Sequence, residues 1–370
     1  MKKQNKKMFW AVILIALVVI FVVFNYVRSE EEERIKIGVT ATLTGFGAPW
    51  GEDIQKGIDL AVKEVNDEGG IYGKQLEIIY EDISELDLKM AVSAAQKFVS
   101  IDKVDLIFTQ WAEDNAVVQP IAEENNILIM NIASGSRDVP RGSPYVFMIR
   151  PTDAEVTERL VDYIISLNVD NPVMIVEQTP YFESLGALTD EIWNQKTGQN
   201  IRKYSASPTE RDYRTILTKV KQEGYDVVFV YVLEDNAGLV LKNIEEFGIE
   251  ALKIGFTGMG DPVVLNVAKE SAEGMVYTDF DSSEQFFIEK FKNEYGREPL
   301  VTSDLAYDAI KVLAKVMREY GTDTESVKKG LELIKDFPGA SGPVTFNELG
   351  ERTGKEVIIK VIRDGVGVKI

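Results

Sequence analysis

The chain has 370 residues, a length that suits two folded domains better than one, and 45% hydrophobic with 27% charged residues is typical of a globular protein. Cysteine and histidine are absent, which excludes disulfides, thiol nucleophiles, imidazole bases and the common zinc, copper and haem ligands. The formal net charge of −19 disfavours nucleic-acid binding. We therefore expect no metal, no cofactor and no nucleic-acid partner.

The N-terminal segment has the features of a membrane anchor. Every residue at 8–24 is apolar, and Tyr26 and Val27 extend the run to about the 20 residues that cross a bilayer. Four lysines precede this run and an acidic stretch follows it, so the positive-inside rule places the remainder of the chain outside the cell. The sequence predicts a cytoplasmic tail at 1–7, a transmembrane anchor at 8–27 and a linker at 28–34.

Two other N-terminal sorting signals are alternatives to the anchor. A cleaved signal peptide is the first, but residues 24–30 lack the small-x-small pattern that signal peptidase requires. A bacterial lipoprotein is excluded because its lipidated cysteine does not occur. The expected localisation is the cell membrane, single-pass, with the globular part extracytoplasmic.

After the anchor, short β-branched runs alternate with amphipathic helices. The first helix places Ile54, Ile58, Ala61 and Val65 on one face. Such alternation indicates right-handed βαβ crossovers and a parallel sheet covered on both faces. The predicted elements are strands at 35–40, 76–80, 105–108 and 127–130, with helices at 54–65, 89–99 and 116–124.

The same pattern restarts after Pro151. It predicts a second α/β lobe, and because doubly wound sheets bind ligands at the carboxyl ends of their strands, two such edges facing one another would form a cleft. The chain then ends on two strands. The predicted elements are helices at 154–167, 184–196, 212–222, 236–247 and within 284–335, with strands at 173–176, 227–232, 253–256, 275–278, 344–346 and 357–362.

The part after the linker opens with a specific spacing of glycine, aromatic and acidic residues. The residues that carry it are Ile35-Lys36-Ile37-Gly38, Leu43-Thr44-Gly45, Trp50-Gly51, Gly57, Val65-Asn66, Gly69-Gly70-Ile71-Tyr72-Gly73-Lys74-Gln75-Leu76 and Asp82. This series resembles the branched-chain amino-acid-binding family, the type I fold of periplasmic solute-binding proteins. The resemblance extends from about residue 35 to the C-terminus.

Later segments resemble the places where the chain of that family passes between lobes. These segments are Pro144-Tyr145-Val146-Phe147 with Arg150, Glu273-Gly274, Tyr307-Asp308-Ala309, and Ser341-Gly342-Pro343-Val344-Thr345-Phe346 with Gly350. The resemblance implies two doubly wound parallel-sheet lobes joined by a three-segment hinge. It assigns 35–152 plus 281–342 to lobe 1 and 153–280 plus 343–370 to lobe 2.

The resemblance also implies a ligand site, but the sequence departs from the family pattern there. Ala112 stands where a serine usually binds the carboxylate of an amino acid, and Gly135 stands where a threonine is common. Thr257 stands where the family has the acid that binds the ammonium group, and Asp261 is the nearest carboxylate. Phe182-Glu183 replaces the family's Tyr-Gly pair, with Tyr181 beside it. An ordinary α-amino acid is therefore in doubt.

Aromatic side chains remain as the main candidates, for stacking on a flat ligand or holding a cation. The predicted ligand-binding residues are Trp50, Trp111, Ala112, Ala133, Ser134, Gly135, Ser136, Tyr181, Phe182, Thr257 and Asp261. Each aromatic residue has the alternative of packing inside its lobe, and each acid the alternative of capping a helix.

These features predict a solute-binding protein that captures a small molecule, amino-acid-like, amide, aromatic or amine, and passes it to an ABC permease in the same membrane. The alternative is a receptor domain that signals through a partner. We do not expect an enzyme. Without histidine and cysteine, general acid/base catalysis would need a pair of carboxylates on either side of the reacting bond, and Glu113 and Asp114, adjacent in sequence, cannot take those positions.

Overall fold

A computed structural model describes residues 34–45, 47–84, 87–139, 142–281, 283–300 and 302–370. The predicted tail at 1–7, the anchor at 8–27 and all but the last residue of the linker lie outside these residues. Among the described residues, no helix has the length and apolar character to cross a membrane.

The described chain alternates strands and helices. The strands are β1 (Ile35–Ala41), β2 (Leu76–Asp82), β3 (Leu106–Thr109), β4 (Leu128–Asn131), β5 (Val146–Pro151), β6 (Pro172–Glu177), β7 (Arg202–Ala206), β8 (Val227–Tyr231), β9 (Leu252–Ile254), β10 (Val276–Phe280), β11 (Phe337–Gly339), β12 (Gly342–Phe346), β13 (Glu351–Thr353), β14 (Val357–Arg363) and β15 (Val366–Lys369). The α-helices are α1 (Ala48–Asp67), α2 (Leu88–Lys97), α3 (Ala112–Glu124), α4 (Asp153–Ser166), α5 (Pro180–Thr197), α6 (Arg214–Glu223), α7 (Glu234–Glu246), α8 (Pro262–Ala268), α9 (Gln285–Tyr295), α10 (Ser303–Tyr320) and α11 (Thr324–Leu333).

The first lobe is built on an eight-stranded sheet in the order β11-β12-β13-β5-β4-β3-β1-β2. Its central strands pair in parallel and are buried on both faces, as their continuous apolar sequence requires. Helices α1 and α10 cover one face. They cross closely at Gly57, where an added Cβ would lie 2.1 Å from the carbonyl oxygen of Ser303, so the absence of a side chain allows the two backbones to approach. Helices α2 and α3 cover the other face.

The second lobe has a seven-stranded sheet in the order β15-β14-β10-β9-β8-β6-β7. The wholly apolar β8 lies between β6 and β9 and is fully buried, whereas β7 forms an edge and shows alternating exposure. The strands of both lobes direct their carboxyl ends toward the same space, so the loops that follow them meet between the lobes. The two-lobed α/β architecture expected from the sequence is confirmed.

The last passage between the sheets differs from the predicted division. Residues 343–353 were assigned to lobe 2, but β12 pairs with β11 and β13 pairs with β5 in the first sheet. A tight turn between β11 and β12 reverses the chain, and the backbone and hydroxyl of Ser341 donate hydrogen bonds to Asp308 of α10. The assignment of 343–353 is therefore wrong, and the chain passes to the second sheet between Thr353 and β14.

Candidate ligand-binding cleft

A cavity of about 420 Å³ lies between the two lobes. The first lobe contributes Thr42, Gly47, Trp50, Trp111, Ala112, Glu113, Ala133, Ser134, Arg150 and Thr302 to its wall. The second lobe contributes Thr179, Tyr181, Phe182, Arg211, Leu233, Phe256, Thr257, Gly258 and Asp261. Nine of the eleven predicted ligand residues are thus brought together, while Gly135 and Ser136 do not line the cavity. Contact of these nine with a ligand stays a prediction.

The aromatic wall has two parts with different support. Trp111 of the first lobe is fixed by its indole N–H, which donates to the hydroxyl of Thr42 over 3.2 Å. In the second lobe, Phe182 packs edge-to-face against Tyr181 and Phe256, with ring centroids 5.1 and 5.0 Å away. Phe182 is only 2% exposed and belongs to the core of its lobe, so Tyr181 presents more of its ring to the cavity.

The N-terminus of α3 carries two acids of its own, Glu113 and Asp114. The buried carboxylate of Asp114 accepts hydrogen bonds from the Thr40 hydroxyl at 2.6 Å and from the backbone N–H groups of Gln110 and Trp111 at 3.0 and 2.7 Å. Burial raises the pKa of Asp114 to about 6, although these hydrogen bonds act in the opposite direction. An anionic ligand group therefore finds this helix end already occupied.

Glu113 connects this helix end to the second lobe. Its buried carboxylate interacts with its own backbone N–H and with that of Tyr181 in the first turn of α5, while burial raises its pKa. Two further polar contacts join the first lobe to α5: the Ser184 hydroxyl donates to Asp138 over 2.8 Å, and Arg137 pairs with Glu191 at 3.0 Å. The structure thus has its lobes in contact along α5.

The loop after β4 holds its hydroxyl groups in local hydrogen bonds. The Ser134 hydroxyl accepts from the Ser136 N–H at 3.1 Å, and the Ser136 hydroxyl accepts from the Asp138 N–H at 3.3 Å. At Gly135 a Cβ would lie 1.5 Å from Nη1 of Arg150, so the missing side chain makes room for that guanidinium. Gly135 and Ser136 thus lie behind the cavity wall, and their predicted contact with a ligand stays a prediction.

Asp261 is the acid on the opposite wall. Its Oδ2 accepts a hydrogen bond from the indole N–H of Trp50, across the cleft, at 3.4 Å. Burial raises the pKa of Asp261 to about 6, and the Trp50 hydrogen bond partly offsets this. In the described part of the chain, the buried hydroxyls of Thr257 and Thr302 have no hydrogen-bond partner, which leaves them for a ligand or a water molecule.

Several cavity residues were missed from the sequence. Arg150 was noted only as part of a passage between lobes, and its Arg-x-x-Asp spacing with Asp153 was the available signal for a buried ion pair. Arg211 follows the unpredicted edge strand β7, and its guanidinium donates to the carbonyls of Pro208 and Glu210. Thr302 is the N-cap residue of α10 and lies far along the chain from the predicted loops.

Comparison with known proteins agrees with the two-lobed fold. Residues 34–363 match the family described as periplasmic binding protein. The Leu/Ile/Val-binding protein homolog 1 of Brucella melitensis is 28% identical, and the alignment covers 86% of this chain and 87% of that protein.

Solved structures share the architecture at lower sequence identity. A leucine-binding protein of Thermotoga maritima superposes with a TM-score of 0.83 at 22% identity, covering 91% of this chain and 97% of that one. A solute-binding protein of Rhodopseudomonas palustris in complex with 3,4-dihydroxy benzoic acid gives 0.80 at 21% identity, covering 92% and 97%. On the family match across nearly all of its described residues, this chain belongs to the periplasmic binding protein family.

Proposed function

We propose that this protein captures a small molecule between its lobes and delivers it to an ABC permease in the same membrane. The cavity of about 420 Å³ carries this proposal, because it is lined from both lobes and combines aromatic walls with a few polar groups. Relatives of the chain are named as Leu/Ile/Val-binding proteins, and those names agree with solute capture.

The ligand class we propose is an aromatic, neutral or amine-bearing compound rather than an aliphatic α-amino acid. The helix end that would receive a carboxylate is occupied by Asp114 and Glu113. Losing two charge-assisted hydrogen bonds of ~1.5–3 kcal/mol each weakens capture by about 10²- to 10⁴-fold. A ring stacked on Trp50 or Trp111 is unaffected by these acids.

A thermal-shift screen of the purified full-length chain tests this ligand class. We expect little response to leucine, isoleucine and valine, and a clear response to an aromatic or amine-bearing compound. Trp111→Ala should remove the response, and it should also lower the unliganded melting temperature because the ring packs against the core of its lobe, whereas Tyr72→Ala, at an exposed ring outside the cleft, should leave the response intact. Micromolar binding of leucine would contradict the proposed class.

We further propose that residues 8–27 anchor the protein and that the globular part lies outside the cell. The apolar run between lysines and acids supports this arrangement. Protease added to intact cells should release a soluble fragment that begins between residues 29 and 34. Spontaneous release of that fragment, or its protection inside the cell, would contradict the anchor.

The three chain segments between the sheets are proposed to act as the hinge between lobe 1 and lobe 2. The chain has no cysteine, so Ile101→Cys and Leu167→Cys place one spin label on an exposed site of each lobe. The distribution of distances between the labels should narrow and shift when a bound compound is added. An unchanged distribution with a compound that demonstrably binds would contradict lobe closure.

A further inference from the structure

Arg150 is a buried cation in the wall of the cavity. It stands near the end of β5 and is 7% exposed. Among the described residues, the one hydrogen-bond acceptor for its side chain is Oδ1 of Asp153, 2.8 Å from Nη1. A guanidinium carries five N–H donors, so most of those of Arg150 have no acceptor in the described chain. None of its nitrogens is among the fully buried atoms that lack a partner in the described chain, so the remaining N–H groups face the open cavity, where a ligand can supply the acceptor.

The guanidinium is held in one position by three neighbours. Asp153 pairs with Nη1, and its own backbone N–H donates to the carbonyl of Gly135 over 2.7 Å. The absence of a side chain at Gly135 leaves the space that Nη1 fills. The ring of Phe280 lies 5.5 Å from the guanidinium carbon. A cation fixed in this way loses little freedom on binding, and a planar oxygen acceptor matches the planar fork of its N–H groups.

Other cavity groups restrict where such an acceptor binds. Two acids, Asp114 and Glu113, lie at the N-terminus of α3 and disfavour a carboxylate at that position. Arg211 has its guanidinium engaged by the carbonyls of Pro208 and Glu210. Of the two arginines among the described cavity residues, Arg150 is the buried one, and Asp153 holds its guanidinium in place.

We propose that Arg150 binds a planar oxygen acceptor, a carboxylate or carboxamide, carried on an aromatic ligand. This inference rests on the proposed capture of an aromatic solute and names the polar group of that solute. Asp153 is a positioning residue that holds the guanidinium. The aromatic ring would lie against the walls that Trp50, Trp111 and Tyr181 form.

A matched series of ligands on the full-length chain tests the proposal. The probes are 2-naphthoate, 2-naphthamide and 2-naphthylmethylamine, which share a ring system and differ in the polar group. We expect the better of the two oxygen-bearing probes to bind about tenfold more tightly than the amine, by titration calorimetry. The naphthoate and naphthamide results separate an ionised from a neutral acceptor.

Two variants assign the preference to Arg150. Arg150→Gln combined with Asp153→Asn removes both charges together, so that neither buried ion is left unpaired, and should abolish the tenfold preference. Arg202→Gln, on the edge strand β7 and outside the cavity wall, is the control and should keep the preference. In the unmodified protein, the Arg150 Nε–H signal in a ¹⁵N spectrum, assigned by its loss in Arg150→Lys, should shift with naphthoate or naphthamide and not with the amine.

Three outcomes overturn the inference: tighter binding of the amine, a preference that survives in the double variant, or an Arg150 signal that does not respond. In these cases binding of any probe still supports an aromatic solute. Failure of all three probes to bind contradicts the inference and the proposed ligand class together.

Discussion

Two helices that start at the cleft, α3 and α8, each carry a buried aspartate near their N-terminus, and the two aspartates accept hydrogen bonds from different lobes. At the start of α3, Asp114 accepts hydrogen bonds from Thr40, Gln110 and Trp111, all of its own lobe. At the start of α8, Asp261 makes no capping hydrogen bond and accepts one from Trp50 of the other lobe. Burial raises the pKa of both acids to about 6. The source of the donors, rather than burial or pKa, distinguishes a structural acid from a cleft acid.

Replacement of the two acids by alanine should give the largest difference. Asp114→Ala leaves two backbone N–H groups and the Thr40 hydroxyl without their acceptor, and should lower the free energy of unfolding by about 2–4 kcal/mol. Asp261→Ala removes one cross-cleft bond and should cost less than about 1 kcal/mol. Urea denaturation measures both. Equal losses would show that the two acids do not differ in role.

The pH dependence of stability sharpens the same comparison. The folded-state pKa of Asp261 lies above its usual value of 3.8, so between pH 4 and 6 the folded chain keeps a proton that the unfolded chain has released. Its contribution to stability therefore falls as the pH rises through this window. Its charged neighbours are Asp279 and Asp53, which raise the pKa, and Lys360, which lowers it.

Asp261→Asn removes this titration. The stability of the variant relative to the unmodified chain should therefore rise by about 1–2 kcal/mol when the pH is raised from 5 to 7.5. Asp114→Asn also removes a titration, but should stay less stable than the unmodified chain at both values because the amide loses charge-assisted hydrogen bonds. Urea denaturation at the two pH values gives the difference in free energy of unfolding between each variant and the unmodified chain. A pH-independent difference for Asp261→Asn would contradict burial of the ionised group.

The fold and most of the cavity could be predicted because they depend on local pattern. Wholly apolar runs such as β8 mark buried parallel strands, and the loops after such strands must meet at one edge of the sheet. The edge strand β7 escaped detection because only its third and fifth residues are buried. The place of Arg150 in the cavity was not predicted because its relation to Gly135 is tertiary: the guanidinium fills the space that a side chain at position 135 would occupy.

The passage near residue 342 was misplaced for a similar reason. Gly342 and Pro343 read as the start of a crossing, whereas in the structure they begin β12, which returns along β11. What decides the direction is the anchoring of Ser341 on Asp308 and the burial of Arg352, whose guanidinium donates to the carbonyls of Ser341, Gly342 and Pro343. Contacts over such sequence distances leave no periodic signal.

The smallest expected effect concerns the ion pair at the rim of the cleft. Arg137 and Glu191 lie 3.0 Å apart, but their side chains are 43% and 47% exposed, so water and salt screen the attraction. Such a pair contributes ~0–1 kcal/mol, whereas the contact of Trp50 with Asp261 lies in the buried part of the cleft. Arg137→Gln should therefore change the distribution of distances between spin labels at Ile101→Cys and Leu167→Cys very little, and 0.5 M NaCl should have no larger effect.

Trp50→Phe keeps a ring and removes the indole donor, and should broaden the distribution of label distances further than either treatment. If Arg137→Gln broadened the distribution as much as Trp50→Phe, closure would depend on the exposed rim, and the difference between Asp114 and Asp261 would not extend to the movement of the lobes.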